Sequence, residues 1–206
     1  CHSNQLPTLL ISNCSELKSL KCYDNQLNEL EVINNQKLTY LDCRGNSITE
    51  INISKNINLD YFYCSNTTMP ITSVNGILKI GYCINIDGNN GIIYELAENH
   101  HGKAISINES GRMEWVDGVE EWCEQLGAAW KLPSKEELLQ VYYNKNILNQ
   151  SLQKVGYPLL SGSYWAAADS TDITYHYAFS VSFDSGYVRH ISAAGHSENT
   201  RAVCEF

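Results

Sequence analysis

Cysteines stand at positions 1, 22, 43 and 64, 21 residues apart each time, and the residues around them keep the same register. The stretches read CHSNQL, CYDNQL, CRGNSI and CSNTTM. Upstream of the last three cysteines the apolar frame recurs as LKSLKC, LTYLDC and LDYFYC. Downstream, apolar pairs recur as Leu9/Ile11, Leu30/Val32 and Ile51/Ile53, with Thr72/Val74 as a decayed copy. A fixed period of this length constrains the fold more than any local propensity. Each repeat is one coil that cannot bury its own apolar residues, so successive coils must stack and share a continuous core.

Side chains alternate across a strand, so each coil has an inward and an outward set. Cys22, Cys43 and Cys64 take an inward position, where a free cysteine behaves as a small hydrophobe. A spacing of C-x20-C without histidine partners matches no metal-ligand pattern, and neither metal nor cofactor is expected. Asn4, Asn25 and Asn46 fall at the turn after each strand, where an amide can bond backbone groups that the curve leaves unpaired. Thr67 at the fourth such place marks the end of the series. The outward set is Ser19, Lys21 and Tyr23, then Tyr40, Asp42 and Arg44, then Tyr61, Tyr63 and Ser65. Tyrosine offers a large rigid face and a hydroxyl at small entropic cost. Tyr23, Tyr40, Asp42, Arg44, Tyr61 and Tyr63 are therefore the candidate ligand-binding face. The other reading stays open: aromatics also stabilise strands by packing across them, and so short an array can serve as a spacer.

The pattern L-x-x-L-x-C-x-x-N-x-L, carried by LKSLKCYDNQL and, with Ile48 last, by LTYLDCRGNSI, resembles that of leucine-rich repeats. It is most like the short cysteine-bearing repeats of Bacteroidetes surface proteins. The resemblance implies a short solenoid of 21-residue coils and a cell-surface or secreted location. Cys1 alone reads as the lipid-bearing residue of a bacterial lipoprotein. In register it is an inward strand position, which implies further coils upstream and membrane contact only through a lipid anchor upstream of this chain.

Register fades through ILKIGYC, where Ile80 and Cys83 are expected in the places of Leu59 and Phe62, and the turn-forming cluster NIDGNNG breaks it. This sets two domains, 1–85 and 86–206. Charge and tryptophan agree with that division. Of the net −9, residues 1–80 contribute −1 and residues 81–206 contribute −8, and Trp115, Trp122, Trp130 and Trp165 all lie in the later part. An excess of acid argues against nucleic acid as a partner, because that affinity comes largely from Lys and Arg on phosphates.

Beyond residue 90 the 21-residue period is gone. GIIYELAENHHGKAISI reads as two strands around a polar turn. VDGVEEWCEQLG reads as a helix stopped by Gly127, with Val119, Trp122, Cys123 and Leu126 at helical spacing. KLPSKEELLQVY begins a second helix, with Ser134 as N-cap and Glu137 closing a capping box. KNILNQSLQKVG is a third, ending at Gly156. SYWAAADS, the hairpin YHYAFSVSFDSGYVRHIS and TRAVCEF follow as strands.

This order, with WCEQLGAAWKLPSKEEL, SYWAA and RAVCEF as its best motifs, resembles C-type-lectin-like domains, above all those of bacterial adhesins. The whole is thus an α+β chain, a leucine-rich-repeat solenoid followed by a C-type-lectin-like domain. The resemblance implies that Cys123 and Cys204 are joined in a disulfide or packed together as thiols. Closing that loop of 80 intervening residues would stabilise the domain by on the order of 4 kcal/mol. It also implies ligand contact through the loops at about 161–172 and 184–199, with Tyr164, Trp165, Asp169 and Tyr187 as candidates. The Glu-Pro-Asn or Gln-Pro-Asp and Trp-Asn-Asp motifs that supply calcium ligands in this group are missing, so calcium-dependent sugar binding is not expected. Asp169 and Asp172 are the acidic cluster near that place.

KLPSKEELL also resembles a helix of the formylglycine-generating enzymes, which share the fold group. Their reactive cysteine pair and histidine set have no counterpart here: Cys204 is the lone cysteine after Cys123, and the histidines are scattered. Fold analogy alone does not license an activity. The expectation is a non-enzymatic surface protein that recognises a protein or glycan. A structural stalk and cap is the alternative, and an enzyme of the formylglycine-generating group the third reading.

Overall fold

The computed structural model describes residues 1–64, 69, 74–86, 88–98, 101–115, 118–167, 177–192 and 195–206. The chain contains both strands and helices and is mostly sheet. No helix among the described residues is long and apolar enough to cross a membrane. The chain divides into two compact units, Cys1–Gly102 with Phe206, and Lys103–Glu205. The end of the repeat, near residue 85, and the division between units at 102/103 are different places, because β6 and β7 extend the first unit beyond its last coil.

In the first unit, β1 (Ser19–Lys21), β2 (Tyr40–Asp42), β4 (Tyr61–Tyr63) and β6 (Cys83–Ile86) run parallel. β7 (Asn89–Leu96) then turns back antiparallel on β6. Ser19 faces Tyr40 and Tyr40 faces Tyr61, so the 21-residue period of the sequence is the strand register itself. Leu20, Leu41 and Phe62 point into the core together with Cys22, Cys43 and Cys64, all buried. Opposite this sheet, β3 (Ile51–Asn52) pairs parallel with β5 (Val74–Asn75).

The last coil departs from the expected register in two places. Val74 faces Ile51 rather than Ile53. Cys83 faces Tyr63 rather than Phe62. Coil four is two residues longer before β5 and three shorter after it, so Tyr82 rather than Cys83 follows Phe62, and Ile84 follows Cys64. Cys83 is still buried, because β6 is covered on both faces.

Buried asparagines hold the turns. Asn25 Nδ2 donates to the carbonyls of Cys22 and Tyr23 in its own coil and of Cys1 in the preceding one, while its Oδ1 accepts the Leu6 N–H. Asn46 repeats the set one coil on, with Cys43, Arg44, Cys22 and the Leu27 N–H. The residue before each asparagine is left-handed: Ser3 at φ 54°, Asp24 at φ 52° and Gly45 at φ 60°. A second amide series, which the sequence reading missed, closes the opposite bend. Asn35 Nδ2 bonds the Ile11 and Cys14 carbonyls, and Asn56 Nδ2 those of Val32 and Asn35. Its signal was present, since 35 and 56 are also 21 apart.

In the second unit, β8 (Gly102–Ser106) pairs antiparallel with β14 (Val203–Glu205), and β9 (Met113–Glu114) with β13 (Ser197–Glu198). A separate antiparallel sheet is formed by β10 (Ser163–Ala166), β11 (Tyr177–Ser182) and β12 (Val188–Ser192). The helices are α1 (Val119–Glu124), α2 (Lys135–Tyr143) and α3 (Lys145–Val155). The capping box is present: Ser134 Oγ accepts the Glu137 N–H and Glu137 Oε2 accepts the Ser134 N–H. Gly156 ends α3 in the left-handed conformation. The polar centre of the unit is Arg201, fully buried, whose guanidinium donates to the carbonyls of Ser106, Ile107 and Pro158 and to Glu109.

Candidate functional site

The outward residues of β1, β2 and β4, with the residues that follow them, form a continuous aromatic and cationic face on the first unit. Parallel register stacks like positions at the strand spacing, so rings meet rings. The Tyr40 centroid lies 6.1 Å from that of Tyr61 and 5.5 Å from that of Tyr63, and Tyr61 stacks on Tyr63 at 6.4 Å. Cations are held among them. Lys21 Nζ sits 5.3 Å from the Tyr40 centroid, and the Arg44 guanidinium lies between Tyr23 and Tyr63, 5.7 Å from each. Such contacts are worth about 0.5–1 kcal/mol each when exposed and more when dry. At the first coil His2 stacks on Tyr23 at 4.4 Å.

Asp42 fixes the centre of this face. It receives Nε and Nη2 of Arg44 at 2.8 Å each, a bidentate pair that orients the guanidinium plane. Burial works against the charge on Arg44, but the hydrogen bonds and charge of Asp42 more than offset it and hold the guanidinium above its ordinary value. Burial first, and then Asp42, push the Tyr40 hydroxyl up to about 12, so it stays a neutral donor at physiological pH. The inward thiols are equally unreactive. Burial pushes Cys22 up to about 12 and raises Cys43 and Cys64 as well. A thiolate nucleophile is thus not offered by the column. The described residues hold no cluster of three His, Cys, Asp or Glu side chains that could ligate a metal ion.

The six candidates divide by exposure. Tyr23, Tyr40, Arg44 and Tyr61 are partly exposed and available for contact. Asp42 and Tyr63 are buried, at 1% and 0% exposure. They correct the expectation of a uniformly open column: strand alternation sends them outward, but the neighbouring rings and guanidinium close over them, so they support the face from beneath. Lys21, absent from the candidate set, is exposed and belongs to the face. Ser65 lies outside the described residues.

In the second unit Tyr164 and Trp165 are corrected from loop contacts to core. Both lie on β10, which pairs with β11 along one edge and meets Asn199 along the other, and both side chains are buried. Tyr164 Oη donates to Glu109 Oε2 at 2.9 Å and Trp165 Nε1 to the Met113 carbonyl at 2.8 Å. Tyr187, in the turn between β11 and β12, is 67% exposed. Asp169, with Asp172, lies outside the described residues. Cys123 and Cys204 are not joined in a disulfide, which corrects that branch of the expectation; both are buried in the core. Burial pushes Cys123 up to about 12. His190 packs against the tilted rings of Tyr177 and Phe179, at 5.0 and 4.9 Å, while His196 is exposed.

A second concavity on the first unit was not anticipated. A groove of about 690 Å3 runs beside β3, lined by Leu10, Glu29, Glu31, Glu50 and Asn52 among others. Positions 8, 29 and 50, and 10, 31 and 52, are the same two places on successive coils. Extending the register search from the cysteine strand to the opposite strand would have found them.

No family model matches the chain, and no curated protein matches it. Among solved structures it is similar to a chain described as the functional domain of InlJ from Listeria monocytogenes, which includes a cysteine ladder. The two are 31% identical with a TM-score of 0.34, over 39% of this chain and 17% of that one.

Proposed function

We propose that this chain is a non-enzymatic binding module of a bacterial cell-surface or secreted protein. Its stacked 21-residue coils are a leucine-rich-repeat solenoid and its second unit a C-type-lectin-like domain without a calcium site. The solenoid's aromatic face recognises a protein or glycan ligand. One observation carries this reading: Tyr23, Tyr40, Tyr61, Lys21 and Arg44 are partly or fully exposed yet held in a fixed lattice by ring stacking, cation–π contacts and the Asp42 carboxylate. Rigid aromatic and arginine side chains lose little entropy on binding, which is why they dominate recognition surfaces. The role as a structural stalk draws its support from the burial of Asp42 and Tyr63 and requires no ligand.

The test is a screen of the wild-type chain against immobilised glycans and host extracellular-matrix proteins, followed by a Lys21→Ala, Tyr40→Ala, Tyr61→Ala triple variant. Asp42 and Tyr63 are left in place to preserve the fold. Binding should fall by at least about tenfold, the effect of losing roughly 1.4 kcal/mol at a binding centre. Unchanged affinity for every captured ligand would reject the aromatic face as the binding surface.

A further inference from the structure

The groove beside β3 on the first unit shares no residue with the aromatic face. Repetition builds it. Thr8, Glu29 and Glu50 hold one place on three successive coils, and Leu10, Glu31 and Asn52 hold another, two residues on. All six side chains are exposed, Leu10 at 92%. Leu30, Val32 and Ile51 alternate with them, are buried and form an apolar floor. The groove is therefore an apolar trough edged by carboxylates.

Two features leave this trough incomplete in the free chain. Its charge is unbalanced: Glu29, Glu31 and Glu50 make no hydrogen bond or ion pair among the described residues, and none of the six Lys and Arg of residues 1–80 lines the groove. Like charges at matching places on neighbouring coils repel, yet three of the seven acidic side chains of residues 1–80 stand here. Its backbone is open as well. Residues 29–32 alternate between exposed and buried as strand residues do, but the backbone N–H groups of residues 29–33 have no hydrogen-bond partner among the described residues. The cysteine strands, by contrast, pair coil to coil through β1, β2 and β4.

We infer that this groove binds an extended basic peptide segment of a protein partner, in which arginine or lysine alternates with apolar residues. Alternation along such a segment separates the two kinds of side chain. The apolar set rests on the floor of Leu30, Val32 and Ile51, and the long basic set folds back onto the carboxylates at the lip. Main-chain carbonyls of the segment accept the open N–H groups, as when a strand is added to an exposed edge. Other occupants fit less well. No three His, Cys, Asp or Glu side chains among the described residues could hold a metal ion. An anionic polymer or membrane surface would meet three carboxylates, and a polyamine would leave the apolar floor uncovered. The inference does not rest on the aromatic face, so either can fail alone.

The experiment is titration of the isotopically labelled full chain with a capped peptide of four arginine–valine repeats. The comparison ligands are the same peptide with citrulline for arginine, a glutamate–valine peptide, and spermine. The arginine peptide should give saturable amide shifts over residues 29–33 and 50–52. Each exposed charge pair contributes about two- to threefold, so the citrulline peptide should bind about tenfold more weakly. A Glu29→Gln, Glu31→Gln, Glu50→Gln triple variant removes charges that bond nothing within the chain. It should keep the wild-type thermal midpoint and lose about the same factor in affinity. Glu29→Lys with Glu50→Lys should turn the preference toward the glutamate peptide. Absence of saturable shifts, shifts confined to other residues, or equal binding of the citrulline peptide or spermine would each overturn the inference. So would a folded triple variant that binds as the wild type does, or self-association of the free chain that the triple variant abolishes, which would assign the groove to a second copy.

Discussion

In the first unit the buried polar groups are amides that recur every coil: Asn25 and Asn46 make the same four bonds one period apart, and Asn35 and Asn56 make another pair of sets across the core. In the second, one guanidinium, that of Arg201, collects carbonyls from residues 106, 107 and 158 together with the Glu109 carboxylate. A repeating array distributes its polar bookkeeping, so the loss of one member is felt by two coils. A unit folded from unrelated segments concentrates it, and a single side chain can tie three segments that are distant in sequence. All four tryptophans lie in the second unit, so tryptophan fluorescence follows that unit alone while far-UV circular dichroism follows both.

The largest effect follows from the concentrated arrangement. Arg201→Met keeps most of the buried volume but takes the donor from the buried Ser106 and Ile107 carbonyls and the part-buried Pro158 carbonyl, and leaves the Glu109 carboxylate with Tyr164 Oη alone. The expected cost is about 3–5 kcal/mol, the range for breaking a buried ionic network from one side. Tryptophan fluorescence should lose its transition or move it far down in denaturant, while the remaining circular dichroism transition stays where it was. A fluorescence midpoint within about 0.3 M urea of the wild type would show that Arg201 is not the tie it resembles. In the array, Asn46→Ala removes three donor contacts and one acceptor contact shared by two coils, for about 2–3 kcal/mol. Here the fluorescence transition should be untouched and the other should shift, with faster amide exchange over residues 22–46. Equal shifts in both probes would break the proposed separation of the two architectures.

The same contrast explains what could be read from sequence. A repeat states its register four times, so the strand pairing of Tyr40 with Tyr61, the inward cysteines and the role of Asn25 and Asn46 were all legible before any coordinates. Where coil four gains two residues and loses three, the period misleads, and Val74 and Cys83 land beside Ile51 and Tyr63 instead of the expected partners. Alternation gives the direction of a side chain and not what lies over it, which is why Asp42 and Tyr63 turned out buried. In the second unit the local signals held: the Ser134 capping box and the Gly156 stop are encoded by neighbouring residues. Contacts between distant segments have no such signature. Nothing in SYWAA marks Tyr164 and Trp165 as core, and nothing near Arg112 announces that its guanidinium will bond the Ser197 carbonyl.

Alkaline pH separates the units in a way that the buried thiols dictate. Cys22 in the array and Cys123 in the second unit are each raised by burial from 9.0 to about 12, and Cys43 and Cys64 in the array are raised as well. A thiol whose folded value lies above its unfolded one contributes stability that is complete below pH 9 and declines as pH rises toward 12, because only the unfolded chain can release the proton. Each such thiol lowers the unfolding free energy by about 1.4 kcal/mol per pH unit in that window. The array holds four buried cysteines and the second unit two, so the array should lose stability more steeply than the second unit. Parallel midpoints for the two probes between pH 8 and 10.5 would sink this. At neutral pH, a thiol reagent should reach the exposed Cys1 and Cys14 and leave the six buried cysteines unmodified until denaturant is added.

The smallest effect probes the turn that sets each coil's direction. Gly45 stands at φ 60° where the two earlier coils place Ser3 and Asp24 in the same left-handed conformation. An added Cβ would come within 2.3 Å of Asp24 Oδ1, the far end of a side chain that can rotate away. The cost of Gly45→Ala should therefore be mainly the left-handed backbone, about 1 kcal/mol. A double-mutant cycle with Asp24→Ala measures the two parts separately: if the backbone dominates, the coupling between the substitutions is under about 0.5 kcal/mol. A larger coupling would mean that the contact between coils, and not the conformation within one, limits which residue each repeat can carry before its asparagine. That distinction decides how far the array's residues at this position can vary while the next coil still finds its register.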